Sequence, residues 1–164
     1  MVGQGEGRQR SQEEKTSVLD TYVRTNLLPY DFGLTAEQTD QVLDAVRTGM
    51  QAAGDEDPFT YERRLQMNQI VEETVRPWRE EYWRAEEVRR EAGVLVRDFL
   101  TVETTPDERA KLSQRFQVPS PNMLEEEVAR HVEVWLAGLP NAQVAAWDNS
   151  ELRDVVFSEI KSWC

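Results

Sequence analysis

A long apolar stripe between residues 59 and 100 is the strongest constraint on how this chain folds. Its members stand alternately four and three residues apart, and only Arg89 interrupts the series. They are Val71, Val75, Trp78, Tyr82, Ala85, Ala92, Val96 and Phe99. This spacing places the apolar side chains on one face of an α-helix, and that face has to be covered by other helices. We therefore expect a long helix along which partner helices pack.

Two residues interrupt the regularity of this predicted helix. Pro77 lacks a backbone N–H and disfavours helical geometry at Arg76, so the sequence predicts either a kink in one helix or a break between two. Arg89 lies within the apolar stripe, where a polar residue sets the register of packing or pairs with a neighbouring helix. We expect Arg89 to have such a structural role.

The predicted helix also carries many charges of both signs. Glutamates precede arginines by four residues, the spacing and order that stabilise a helix surface. These pairs are Glu72/Arg76, Glu80/Arg84 and Glu86/Arg90. We expect the long helix to neutralise its own charge through them.

Shorter amphipathic segments precede and follow the long helix. Apolar residues recur every three or four positions from Ser17 onward, and again after two capping boxes, Thr35 with Gln38 and Thr105 with Glu108. No segment alternates with a period of two between hairpin turns. The sequence therefore predicts an all-α fold, a single-domain irregular helical bundle of about six to seven helices around a long, Pro-kinked central helix.

The length of 164 residues suits one domain with a core of its own. Residues 1 to 14 contain three glycines among Gln, Glu and Arg, a composition that buries too little apolar area to offset the entropy of ordering. We therefore predict a flexible N-terminal tail over residues 1–14 and a single all-α domain over residues 15–164.

The net charge constrains the partners of this chain. With 31 acidic and 19 basic residues the net charge is −12, which repels phosphate backbones and anionic membrane surfaces and favours basic surfaces. No apolar run is long enough to cross a bilayer, and the N-terminus lacks the apolar region of a signal peptide. We expect no direct nucleic-acid ligand, no membrane association and a cytoplasmic location.

The excess of acidic residues is localised. Residues 31 to 57 carry seven acidic residues and one basic residue, and residues 120 to 164 carry eight and three, whereas residues 58 to 97 are balanced. In the first of these segments the spacing places three carboxylates on one helix face. Such a face either docks Arg and Lys side chains of a partner or is a solvated surface. The candidate partner-binding carboxylates are Glu37, Asp40, Asp44, Glu125 and Glu126.

Trp83 completes the set of candidate partner-binding residues. It stands five residues after Trp78 and beside Tyr82, so it leans away from the apolar stripe. Indole rings are favoured both in cores and at the centres of interfaces. An interface role and ordinary peripheral packing are therefore the two alternatives for Trp83.

The sequence contains no complete catalytic or metal-binding set of residues. The one cysteine, Cys164, and the one histidine, His131, cannot form a Cys or His metal cluster. A ferritin-like di-iron site needs Glu-x-x-His on two helices, and Glu127 stands four residues before His131. There is no glycine-rich phosphate loop. We therefore predict no cofactor, no metal site and no catalytic residue.

Residues 110 to 124 resemble the helix-turn-helix pattern of bacterial DNA-binding domains. A short helix with Ala110 and Phe116 facing inward is followed by a turn and a second helix. In such domains the second helix enters the major groove of DNA. Here that helix begins with three glutamates, residues 125 to 127, whose charge opposes phosphates and acceptor-rich base edges. The pattern is therefore either a coincidence of capped helices or a motif for protein contacts.

Together these features predict a non-enzymatic, acidic helical protein that binds a basic partner protein, for example a nucleic-acid-binding protein. Inhibitors, immunity and antitoxin factors, and DNA-mimicking proteins of phages or mobile elements are of this kind. One alternative is a helix-turn-helix regulator or packaging adaptor that acts on DNA as an oligomer. Another is a small enzyme that uses carboxylates and magnesium. The heptad-like stripe also allows homo-oligomerisation.

Overall fold

The computed structural model describes residue 14, residues 16–51 and residues 57–164. Over these residues the chain is helical without strands, which confirms the predicted all-α helical bundle. The helices are α1 (residues 16–22), α2 (Ala36–Gln51), α3 (Tyr61–Asp98), α4 (Pro106–Arg115), α5 (Leu124–Ala137), α6 (Asn141–Ala145) and α7 (Asn149–Ser162). The long helix that the apolar stripe predicts is α3.

Three short irregular turns join these helices. The first helix continues into a π-helical turn, Val23–Leu27, and α3 continues into another, Phe99–Glu103, while a 3₁₀ turn, Pro121–Met123, precedes α5. The first π turn stops at Leu28, which is extended because the residue before a proline avoids helical geometry.

The chain divides into two compact units, Met1–Arg79 and Glu80–Cys164, and each is described by itself. Of the predicted flexible tail, residues 1–13 lie outside the described residues. A single domain over residues 15–164 stays a prediction. Residues 61–79 of α3 belong to the first unit and residues 80–98 to the second.

The core of the first unit is formed by α1, α2 and the first half of α3. Its buried aliphatic side chains come from the π-helical turn that follows α1, from α2 and from α3. They are Val23, Val42, Leu43, Val46, Met50, Met67, Val71 and Val75. At Gly49 a Cβ atom would press on the end of the Ile70 side chain, so the glycine lets α2 lie close to α3.

Arg79, at the end of the α3 segment of the first unit, forms ion pairs with two carboxylates. The guanidinium of Arg79 donates to Asp31 over 3.1 Å and to Glu72 over 2.7 Å, and it lies 5.9 Å from the ring centre of Phe32. Arg79 thereby ties the segment between α1 and α2 to α3. The predicted partner of Glu72, Arg76, is exposed and makes no such contact.

The core of the second unit gathers side chains from α3, α4, α5, α6 and α7. Its largest fully buried members are Phe99, Leu112, Leu136, Leu152 and Ile160. The ring of Phe99 lies 5.1 Å from that of Phe157. These contacts bury the second half of the α3 stripe.

The predicted apolar stripe is buried almost throughout. Six of its eight residues have no exposed surface, and Trp78 and Tyr82 are half-buried. The helix continues through Pro77, so the alternative of a break between two helices is excluded. The chain's own helices cover the stripe. An exposed apolar stripe is therefore no longer an argument for homo-oligomerisation.

Arg89 does not interrupt the buried stripe, because Val88 takes its place in the core. The Arg89 side chain is only 16% exposed and donates to the carbonyl oxygens of Leu136 over 3.3 Å and Leu139 over 3.2 Å. A third bond, also of 3.2 Å, reaches Glu86. The last carbonyls of a helix lack intrahelical donors and attract cations. Arg89 therefore caps the C-terminal end of α5 from α3.

This arrangement predicts unequal effects of removing two arginines. Arg89→Ala should lower the free energy of unfolding by about 2 kcal/mol, since two partly buried carbonyls lose a charged donor. The control Arg97→Ala removes an exposed pair with Glu125 and should cost about 0.5 kcal/mol or less. Urea denaturation followed by circular dichroism measures both. Equal losses would contradict the capping role of Arg89.

Candidate functional site

The exposed carboxylates of α2 form the first part of the candidate site. Glu37, Asp40 and Asp44 stand three and four residues apart and are all exposed, while the opposite side of α2 is buried in the core of the first unit. We call these three residues the α2 acidic face. The structure thus confirms that they share one side of one helix.

The N-terminus of α2 is held by a capping box. The Thr35 hydroxyl accepts from the backbone N–H of Gln38 over 3.1 Å, and the Gln38 side chain accepts from the backbone N–H of Thr35 over 3.0 Å. The sequence predicted this pairing. Glu37, in the first turn, also favours the positive end of the helix dipole. The capping hydrogen bonds therefore fix the backbone of the helix turn at which the α2 acidic face begins.

The only basic residue of α2 is engaged within the first unit. Arg47 donates to both carboxylate oxygens of Asp20 and, over 3.0 Å, to Asp44. Hydrogen bonding to Asp20 raises the pKa of Arg47, so the guanidinium stays charged. Asp44 remains 72% exposed. Within the described part of the chain, Glu37 and Asp40 form no ion pair, so most of the charge on this face faces water.

The carboxylates at the start of α5 are more fully neutralised. Glu125 accepts from Arg97 over 3.2 Å, and Glu127 accepts from Arg130 over 2.8 Å. Glu126 is exposed, and no ion pair to it occurs among the described residues. Acidic residues in the first turn of a helix also stabilise it through the dipole. Of the two candidates on α5, only Glu126 keeps its charge unpaired.

Trp83 lies in the second half of α3 and is 44% exposed. Its ring meets the ring of Tyr82 edge to face, with 5.2 Å between the ring centres. Trp83, Glu125 and Glu126 all belong to the second unit, whereas the α2 acidic face belongs to the first. The candidate residues are therefore divided between the two units.

The helix-turn-helix resemblance is not matched in detail. The turn between helices of a DNA-binding helix-turn-helix has about three to four residues, whereas residues 116–123 separate α4 from α5. Gln117 adopts a left-handed conformation, with φ of 52°, before the 3₁₀ turn begins. Ala110, predicted to face inward, is exposed, and Leu112 is the buried residue of α4. The inward placement of Ala110 was wrong because α4 presents a different face to the core.

His131 takes part in an aromatic cluster that sequence reasoning did not find. Its ring stacks on Phe116 with 4.1 Å between centres, and the ring of Trp163 lies edge-on at 5.7 Å from Phe116. Burial raises the pKa of the neighbouring C-terminal thiol, Cys164, which keeps it in the less nucleophilic protonated form. Spacing alone could not reveal the cluster, because its members come from three segments.

Over residue 14 and residues 16–51 and 57–164, no group of three or more His, Cys, Asp or Glu side chains is arranged to hold a metal ion. Within the same residues, every helix is too short or too polar to cross a membrane.

Comparisons with known proteins assign no relative. No family model, no curated protein and no solved structure matches this chain. The function therefore has to be argued from the charges and geometry of the residues themselves.

The two acidic partners of Arg47 provide a test of which carboxylates are structural. Asp20→Asn should lower the free energy of unfolding by about 1 kcal/mol, because it removes a two-point charged contact between α1 and α2 that is partly screened by water. Asp44→Asn should change it by about 0.5 kcal/mol or less, since Asp44 is mostly solvated. Thermal and urea unfolding measure both. A larger loss for Asp44→Asn would mean that the α2 acidic face serves stability.

Proposed function

We propose that this is a non-enzymatic protein that binds a basic partner protein through the α2 acidic face. The proposal rests on the charged side chains of α2, whose carboxylates are exposed while its arginine is paired. Its outward carboxylates, Glu37, Asp40 and Asp44, lie on one rigid side, and its only base, Arg47, is held by Asp20 and Asp44. The face thus has a net negative charge in a chain whose total charge is −12.

Such a face favours Arg and Lys side chains for two physical reasons. The summed negative potential speeds encounter with a basic surface, and the carboxylates accept charge-assisted hydrogen bonds on contact. Because the face stands on a capped helix packed against a core, binding orders little backbone. The backbone that carries the carboxylates is therefore pre-organised for binding.

The size of the face indicates how the partner contacts it. From residue 37 to residue 44 the helix rises by about 10 Å, at about 1.5 Å per residue. Three carboxylates over that length match two or three basic side chains of a partner. An inhibitor, an immunity factor or an antitoxin that covers a small basic site suits this size. In the second unit, taken by itself, the exposed carboxylate of Glu126 and the indole of Trp83 are the candidate partner contacts.

The proposal is tested by neutralising the face. The variant Glu37→Gln/Asp40→Asn/Asp44→Asn should lose about tenfold or more in affinity for a partner that is captured from cells encoding this chain. The matched control Glu80→Gln/Glu81→Gln/Asp98→Asn removes the same charge from other exposed positions and should keep most of the affinity. Isothermal titration calorimetry with the identified partner measures both, at low and at high salt.

Three results would overturn this assignment. Equal losses for the face variant and its control would show that total charge, rather than the α2 acidic face, attracts the partner. Binding that does not weaken with salt would exclude an electrostatic contact. Tight binding of duplex DNA in a gel shift, at a salt concentration that abolishes capture of the basic protein, would favour the DNA-binding alternative.

A further inference from the structure

The second unit contains an open groove between α3 and α5. It has a volume of about 570 Å³, and its floor is formed by small and aliphatic residues from both helices and the segment that follows α5. These floor residues are Gly93, Ala129, Val132, Ala137 and Leu139. A Cβ atom added at Gly93 would meet no atom within 4 Å, so packing inside the chain does not require the glycine. We call this feature the α3–α5 groove.

A glycine in the interior of a helix lowers the stability of that helix, and the packing around Gly93 does not explain why a glycine is there. It destabilises a helix by about 1 kcal/mol relative to alanine. At Gly49 the close approach of Ile70 explains the glycine, but Gly93 has open space before it. Glycine and alanine on a helix face let another helix approach closely. The floor of the α3–α5 groove thus has room for a helix from outside the chain.

The charges on the walls of the groove restrict which charged side chains that helix can have. Glu86 and Arg89 pair with each other, and the remaining bonds of Arg89 go to backbone carbonyls. Arg90, on α3, and Glu133, on α5, are exposed and line the groove, and no described residue forms an ion pair with either. The sequence predicted a pair between Glu86 and Arg90, but Glu86 is engaged by Arg89 instead. One unpaired cation and one unpaired anion therefore line opposite walls.

We infer that a second copy of this chain occupies the α3–α5 groove, in a twofold-symmetric dimer. In such a dimer the same patch of both copies is in contact, so a residue on one wall of the first copy meets the opposite wall of the second. Arg90 of each copy then pairs with Glu133 of the other. A purely basic partner would be repelled by Arg90 and a purely acidic one by Glu133, whereas the groove is complementary to itself.

The composition of the surrounding surface agrees with a dimer of modest affinity. Val94 is 65% exposed and stands one turn after Arg90, which adds apolar area beside the groove. Two copies that each carry a charge of −12 repel one another at long range, and salt at physiological concentration screens much of that repulsion. We expect dimers to form as the protein concentration rises through the micromolar range and above.

Charge exchange across the groove tests the dimer. Arg90→Glu and Glu133→Arg should each raise the dimer dissociation constant by about tenfold or more, because like charges then face each other. The double variant Arg90→Glu/Glu133→Arg should restore association, since the pair is re-formed with its signs exchanged. Gly93→Leu should prevent association by filling the groove. Sedimentation equilibrium over a wide concentration range measures all four at physiological salt.

The control is Arg76→Glu, which makes the same charge change at an exposed position of the first unit and should leave association unchanged. Circular dichroism melting curves verify that each variant is folded. A protein that stays monomeric up to millimolar concentration would overturn the inference and leave the groove to an unlike partner. A dimer that responds equally to Arg76→Glu and Arg90→Glu, or that is not restored by the double variant, would overturn it as well.

Discussion

Burial of one apolar side of α3 is the constraint on which the rest of the structure depends. The helix has 38 residues, and its buried positions contribute to the cores of both units. Valine and alanine dominate these positions, so the neighbouring helices lie close and most of the favourable free energy comes from apolar area removed from water. The helices α2, α4, α5, α6 and α7 each bury apolar side chains of their own.

The arginines connect this packing to the surface. Arg47, Arg79 and Arg89 each use several donors at once, and each ties two segments of one unit together. Guanidinium suits this role because its donors form a planar fork that stays charged under all ordinary conditions. Once these arginines are engaged, the charges that remain exposed decide what the surface attracts. Among these exposed charges are the α2 acidic face in the first unit and Arg90 and Glu133 of the α3–α5 groove in the second.

Much of the fold was predictable because it depends on local chemistry. The Thr35 and Thr105 capping boxes form as their spacing predicts, and six residues of the apolar stripe are fully buried. The ion pairs were not predictable in the same way. Glu86 has arginines at both three and four residues' distance, and the choice of Arg89 follows from the carbonyls at the end of α5, which hold that guanidinium in place. The aromatic stack on His131 likewise joins residues that are far apart in the chain.

The sequence by itself determined the fold class, the placement of the helices and the shared side of Glu37, Asp40 and Asp44, because helical periodicity and capping act between residues only a few positions apart. Only the tertiary structure decided that Val88 enters the core in place of Arg89, that Gly93 faces open space and that Arg90 and Glu133 form no ion pair with any described residue. These outcomes depend on which side chains and carbonyls of distant segments come into contact. Such contacts are set by the packing of the folded chain.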